Sequence, residues 1–96
     1  MVRANVAFHE ICDSRVAIVE VVRGELGDQK QQQALQLRLS KAHQFQGFLV
    51  VLGVPHDGLL EADFVAPQYI ATALKKMGWI RLKFQPVELT FQHEAS

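Results

Sequence analysis

Two segments of this chain are apolar on both faces of the strand that each would form. Residues 15–23 (RVAIVEVVR) place Val16, Ile18 and Glu20 on one face and Ala17, Val19 and Val21 on the other, and residues 48–54 (FLVVLGV) are apolar throughout between Gly47 and Pro55. Dense β-branched residues with no polar face mark central strands of a sheet. With 96 residues, 49% of them hydrophobic and 21% charged, the chain has the balance of one globular domain. A chain of that size buries roughly 65% of its unfolded surface without metals or disulfides. Disorder and collagen-like repetition are excluded.

The other elements are read around these two. Residues 2–8 alternate Val2, Ala4, Val6 and Phe8 with Arg3, Asn5 and Ala7, and Asp13-Ser14 reads as a turn, which predicts an antiparallel hairpin. A helix over residues 4–12 is the competing reading. From Gly27-Asp28 the composition changes to DQKQQQALQLRLSKAHQF, with no β-branched residue, which is helix chemistry. Asp28 is the expected N-cap, Leu35, Leu39 and Ala42 the buried stripe, and Gly47 the stop. Leu35, Leu37 and Leu39 also alternate with Gln36, Arg38 and Ser40 as a strand would, so 28–45 carries two readings. As a helix it leaves Leu37 on the outer side. A second helix follows an acidic loop at 56–63. Pro67 suits its first turn, Ile70, Leu74 and Met77 its buried face with Ala66 and Ala73, and Gly78 its C′ position, with Lys75 and Lys76 suiting the dipole at its end. Beyond it, Ile80, Leu82 and Phe84 alternate with Arg81 and Lys83. Val87, Leu89 and Phe91 then alternate with the opposite parity, so Gln85-Pro86 is expected to be a bulge or bend at a sheet edge. The tail after Gln92 is expected to fray.

Strand, helix, doubly apolar strand, helix, strand is the pattern of right-handed βαβ crossovers. The expected fold is one α+β or α/β domain spanning 1–96, with a mixed sheet of four to five strands and two main helices in the order β-β-α-β-α-β, a further strand closing it in one version. Apart from the brief Gln31-Gln32-Gln33, no repeat, linker or low-complexity stretch interrupts it.

Charge and cysteine usage narrow the function classes. Ten basic and ten acidic residues give a net charge of zero, so the chain lacks the global footprint of a dedicated polyanion or membrane-surface binder. Zero net charge also removes self-repulsion. The neutrality is a cancellation between blocks: Lys30, Arg38 and Lys41 without an acid in 29–56, Asp57, Glu61 and Asp63 without a base in 57–74, and Lys75, Lys76, Arg81 and Lys83 without an acid in 75–83. Cys12 is the only cysteine, so no intrachain disulfide or Cys-based zinc site can form. With no signal-like segment after Met1 and no apolar run long enough to cross a bilayer, a cytoplasmic protein without membrane contact is expected.

Two places invite chemistry. Loops following parallel strands gather at the carboxyl ends of those strands, where open α/β sheets bind ligands. Here such loops carry Glu25, Asp28, His56, Asp57, Glu61 and Asp63, a set able to hold a divalent cation or to place a histidine as general base. Turn chemistry at Asp57-Gly58 and ordinary loop acidity explain the same residues without a site. The second place is KKMGWIRLKF at 75–84, where Lys75, Lys76, Arg81 and Lys83 suit phosphates and Trp79 offers a stacking face. Those charges equally suit a helix end and a solvated strand face, with Glu88 as a pairing partner. His9, His43 and His93 lack zinc-helix spacing, no Gly-rich phosphate loop or nucleophile elbow is present, and no cofactor or resident metal is implied.

The order hairpin, apolar strand bearing an acid, helix, strand is similar in part to the restriction-endonuclease-like nucleases. Asp13 opens a strand, Glu20 lies within VAIVEVV, and the Gln-rich helix leads into FLVVLGVP. In that family a carboxylate and an E-x-K triplet hold the metal and orient the water. Here the triplet is Glu20-Val21-Val22, without the lysine, Arg23 has the wrong strand parity to replace it, and Asp13 is only seven residues from Glu20. The likeness covers about half the chain and does not assign it to that family.

The sequence therefore leads to a small, non-enzymatic binding or interaction domain that self-associates as a homodimer, through opposite charge blocks and the outward Leu37 and Trp79. A metal-assisted hydrolase or inactive nuclease-like domain using loops 24–28 and 55–63, and a nucleic-acid module using 75–84, are the alternatives.

Overall fold

In the computed structural model, which describes residues 2–22, 24, 27–56 and 62–91, the first two strands form the expected hairpin. Strand β1 is Val2–Ile11 and β2 is Ser14–Glu20, paired antiparallel from Val6↔Val19 to Ile11↔Ser14. The connection is only Cys12-Asp13, and both residues have positive φ, 51° and 66°. A two-residue loop with both residues left-handed is the type I′ geometry, whose twist matches that of the strands it joins. The turn therefore lies one residue earlier than Asp13-Ser14.

After β2 the chain rises through helix α1, Gln29–Leu39, and returns in β3, Leu49–Pro55, which lies parallel to β2. Among the described residues this is the one βαβ crossover between adjacent parallel strands. Asp28 caps the helix as expected. Its side chain accepts from the Gln31 backbone N–H at 2.9 Å while Gln31 Oε1 accepts from the Asp28 N–H at 2.9 Å, a reciprocal capping box. The helix stops at Ser40, short of Gly47, because Ala42 is drawn into a bridge with Phe91 and His43–Phe45 forms a 3-10 turn. Of the two readings of 28–45 the helix is realised, and Leu37 is 63% exposed. Gln36 ties the helix to the sheet: its Nε2 donates to the Val65 carbonyl at 2.8 Å and the Val50 carbonyl at 3.1 Å.

Strand β4, Ala62–Val65, turns back antiparallel to β3, where an acidic loop was expected. Helix α2, Gln68–Met77, then follows with Ile70 and Leu74 buried and Gly78 (φ 86°) ending it. The predicted strand at Ile80–Phe84 is not formed. Residues Trp79–Leu82 make a 3-10 turn, Lys83 takes a left-handed conformation (φ 60°), and β5 begins only at Gln85 and runs to Leu89. A period-two strand would bury Ile80 with Leu82, yet Ile80 is 67% exposed and Leu82 is buried. The turn lets Trp79 and Leu82 both reach the sheet, and His9 Nε2 donates to the Leu82 carbonyl at 2.8 Å, which fixes it there.

The sheet order is β4-β3-β2-β1-β5, with β5 antiparallel to β1. Five strands in a mixed sheet with two helices is the expected α+β class. The fifth strand, however, comes from 62–65 rather than from a split final pair, and the element order is β-β-α-β-β-α-β. The second helix accordingly spans from one edge of the sheet to the other rather than linking parallel neighbours. Each face has its own core. Ala17, Val19, Val50, Leu52 and Val54 pack with Leu39, Ala42 and Phe45 beneath α1, while Val16, Ile18, Val51, Ile70, Leu74, Trp79 and Leu82 pack beneath α2. The doubly apolar strands β2 and β3 thus supply residues to both. The final strand is held at its end by residues 43–44: the His43 N–H donates to the Thr90 carbonyl at 2.8 Å and the Thr90 N–H donates to Gln44 Oε1 at 2.9 Å. Among the described residues no helix is long and apolar enough to cross a membrane.

Non-glycine residues in the left-handed region cost roughly 1–2 kcal/mol each. Replacing Cys12-Asp13 by Asn-Gly is expected to stabilise the protein by about 1 kcal/mol, read as a higher urea midpoint with unchanged slope; an unchanged or lower midpoint contradicts the type I′ assignment.

Candidate functional site

The carboxyl ends of β2 and β3 lie side by side, joined by the Val21 N–H to Gly53 carbonyl bond at 2.9 Å. Of the acidic set read from the loops, Glu25, Asp57 and Glu61 lie outside the described residues. Asp28 is engaged in capping α1. His56 and Asp63 do come together, because β4 folds back along β3 with Val54 opposite Asp63. His56 Nε2 donates to Asp63 Oδ2 at 2.9 Å, with both side chains partly exposed. Among the described residues no three of His, Cys, Asp and Glu gather as a metal site would require.

The carboxylates of the nuclease-like pattern are separated. Asp13 is in the hairpin turn at one end of β2 and Glu20 at the other, about 20 Å apart at the ~3.3 Å rise of a strand. One metal ion cannot be held by both. Glu20 instead accepts from Asn5 Nδ2 at 3.1 Å, beside a shallow hollow of 390 Å³ between the end of β2 and Leu35 and Leu39 of α1.

The basic strip divides by exposure. Lys75 and Lys76 at the end of α2, and Arg81 and Lys83 beyond it, are all exposed. Among the described residues none of the four takes part in an ion pair; Glu88 stands opposite Arg3 across β5 and β1. Trp79, read from the sequence as outward, is 7% exposed. Its ring neighbours are Phe84, at a centroid distance of 4.4 Å and 18° between planes, and Phe64, at 6.0 Å and 30°. Beneath it is Gly53: a Cβ there would sit 2.9 Å from Trp79 Cζ3 and 3.2 Å from Ile18 Cγ2. Gly53 is thus the gap in a central strand that lets an indole lie against the sheet.

These placements bring members of both sequence-derived sets to one groove of 380 Å³. His56 and Asp63 border it from the β3–β4 end, Lys75 borders it from α2, and Phe64, Leu74 and Trp79 supply its apolar wall. Ala62, which also lines the groove, was missed because 56–63 reads as acidic loop, and Phe64 because it falls between that loop and the second helix. The available signal was the alternation of Ala62 and Phe64 with Asp63 and Val65. Chemically the groove offers, among the described residues, a hydrogen-bonded His–carboxylate pair, the Lys75 ammonium and the ring of Phe64, within the few-hundred-Å³ size of small-molecule sites.

The fold and groove together define an open mixed five-stranded sheet with a helix on each face and a small cleft under the second helix. No protein-family model, curated protein or solved structure matches the chain.

The close fit of Trp79 on Gly53 sets the groove wall. Gly53→Ala is expected to destabilise the protein by about 1–3 kcal/mol, the usual cost of overpacking a core. It should also shift the emission of Trp79, the only tryptophan; an unchanged denaturation midpoint together with unchanged emission would contradict this packing.

Proposed function

We propose that the protein is a small non-enzymatic binding domain whose ligand occupies the groove between the β3–β4 end and the C-terminal part of α2. The observation that carries this reading is the convergence there of His56, Asp63 and Lys75 on the aromatic wall made by Phe64 and Trp79. A few converging polar groups over apolar surface are what fix and orient a small ligand. A chemically mixed small-molecule library, screened by amide and indole NMR shifts of the whole chain, tests this reading. Hits are expected to move Trp79, Phe64 and Lys75 together; a library whose hits all fall elsewhere, or that yields none, removes the reading.

Self-association is a second reading, favoured by Leu37, which projects from α1 away from the core with 63% of its surface exposed. A homodimer through this surface would scatter light as twice the 10.8 kDa chain, with a salt-sensitive component from the opposed charge blocks. Leu37→Glu should return it to a monomer. A wild-type chain that stays monomeric across concentrations excludes this reading and leaves the groove untouched.

A further inference from the structure

Building on the reading of the groove as a binding site, we propose that its ligand is a small molecule with an anionic group on a flat apolar body, held with Lys75 as counter-charge. The charge inventory of the groove leads to this. Its acid, Asp63, already accepts a hydrogen bond from His56. Its cation, Lys75, is exposed and, among the described residues, makes no ion pair. Lys76, Arg81 and Lys83 follow within the same acid-free block, 75–83, and are likewise exposed without ion pairs among the described residues. Of these four only Lys75 lines the groove, and its ammonium, beside a carboxylate already bonded to His56, favours an anionic partner over a cationic one.

The rest of the ligand is set by the wall. Phe64, half-buried, offers ring surface backed by the buried Leu74 and Trp79, and a planar apolar body packs against it, whereas a bare inorganic anion would leave it uncovered. The same packing weighs against single-stranded nucleic acid. Trp79 is 7% exposed, with the Phe84 ring stacked on it at 4.4 Å, so it is not an open platform for a base. The basic block keeps its charge but loses the aromatic platform that the sequence suggested. A carboxylate and a phosphate monoester share the required chemistry, and separate probes distinguish them.

The test is NMR titration of the isotope-labelled whole chain with benzoate, phenyl phosphate, inorganic phosphate, benzamide, benzamidine and a short oligothymidylate. Benzoate or phenyl phosphate should saturably move the Trp79 indole N–H and the amides of Phe64 and Lys75. Whichever binds more tightly identifies the head group. Lys75→Ala should weaken that binding about three- to fivefold, the range of one partly exposed charge pair, while Lys30→Ala, on α1 across the sheet, should leave it unchanged. Lys75 is exposed, so its removal should not disturb folding, and the thermal midpoint checks this.

Equal or tighter binding of benzamidine or benzamide, or an unaffected Lys75→Ala, overturns the anionic assignment and leaves the groove reading standing. Inorganic phosphate binding as tightly as phenyl phosphate overturns the apolar body. Oligothymidylate moving residues 75–83 while the small anions do not overturns the proposal in favour of a polyanion surface. Silence of every probe also overturns it, and the wider library then decides the groove reading separately.

Discussion

The stack of Trp79 on Gly53, with Phe64 and Phe84 as ring neighbours, is the contact on which the α2 side of the molecule depends. Each member comes from a different part of the chain: Gly53 from β3, Phe64 from β4, Trp79 from the turn after α2, and Phe84 from the approach to β5. The stack therefore fixes where β4 lies, where α2 must end, and where the chain sets out for the far edge of the sheet. A side chain at position 53 would lift the indole, and with it the 3-10 turn that delivers Leu82 into the core. The groove is a product of the same contact, since Phe64 and Trp79 form its wall.

Much of the fold was legible because hydrophobic periodicity is a strong signal where burial is two-sided or helical. Residues 15–23 and 48–54 read as central strands, and β2, Ser14–Glu20, and β3, Leu49–Pro55, form within or about them, the first ending three residues short of the reading. Ile70, Leu74 and Gly78 marked α2 and its end, and Asp28 marked the start of α1. The failures have a common physical source. At 80–84 and 62–65 the local pattern is set by tertiary contacts: Ile80 looks like a strand residue in sequence, yet the need to seat Trp79 and Leu82 winds this stretch into a turn. Ala62-Asp63-Phe64-Val65 is too short and too close to acidic residues to announce itself as a strand without the β3 edge beside it.

For the candidate site, individual residues were legible but their association was not. His56 and Asp63 were grouped by topology, and Lys75 and Trp79 by sequence proximity, as separate candidates. Only the hairpin of β3 and β4, together with α2 lying under the sheet, brings one pair against the other. The charge blocks keep their meaning in three dimensions: the basic one remains on the surface, while its tryptophan has moved inside. Neutral overall charge is compatible with a strongly polarised local surface.

The pairing of β1 with β5 has a consequence for how the protein is made. Val6 is matched to Gln85, so after β1 is synthesised roughly 80 more residues must be added before its second neighbour exists, about 4–16 s at ordinary elongation rates. Through that interval the β1–β2 hairpin presents an open ladder edge, the kind of surface on which chains pair wrongly with one another. Arg3 and Asn5 lie along this edge in β1, and their polar side chains make it a poorer template while β5 is still to come.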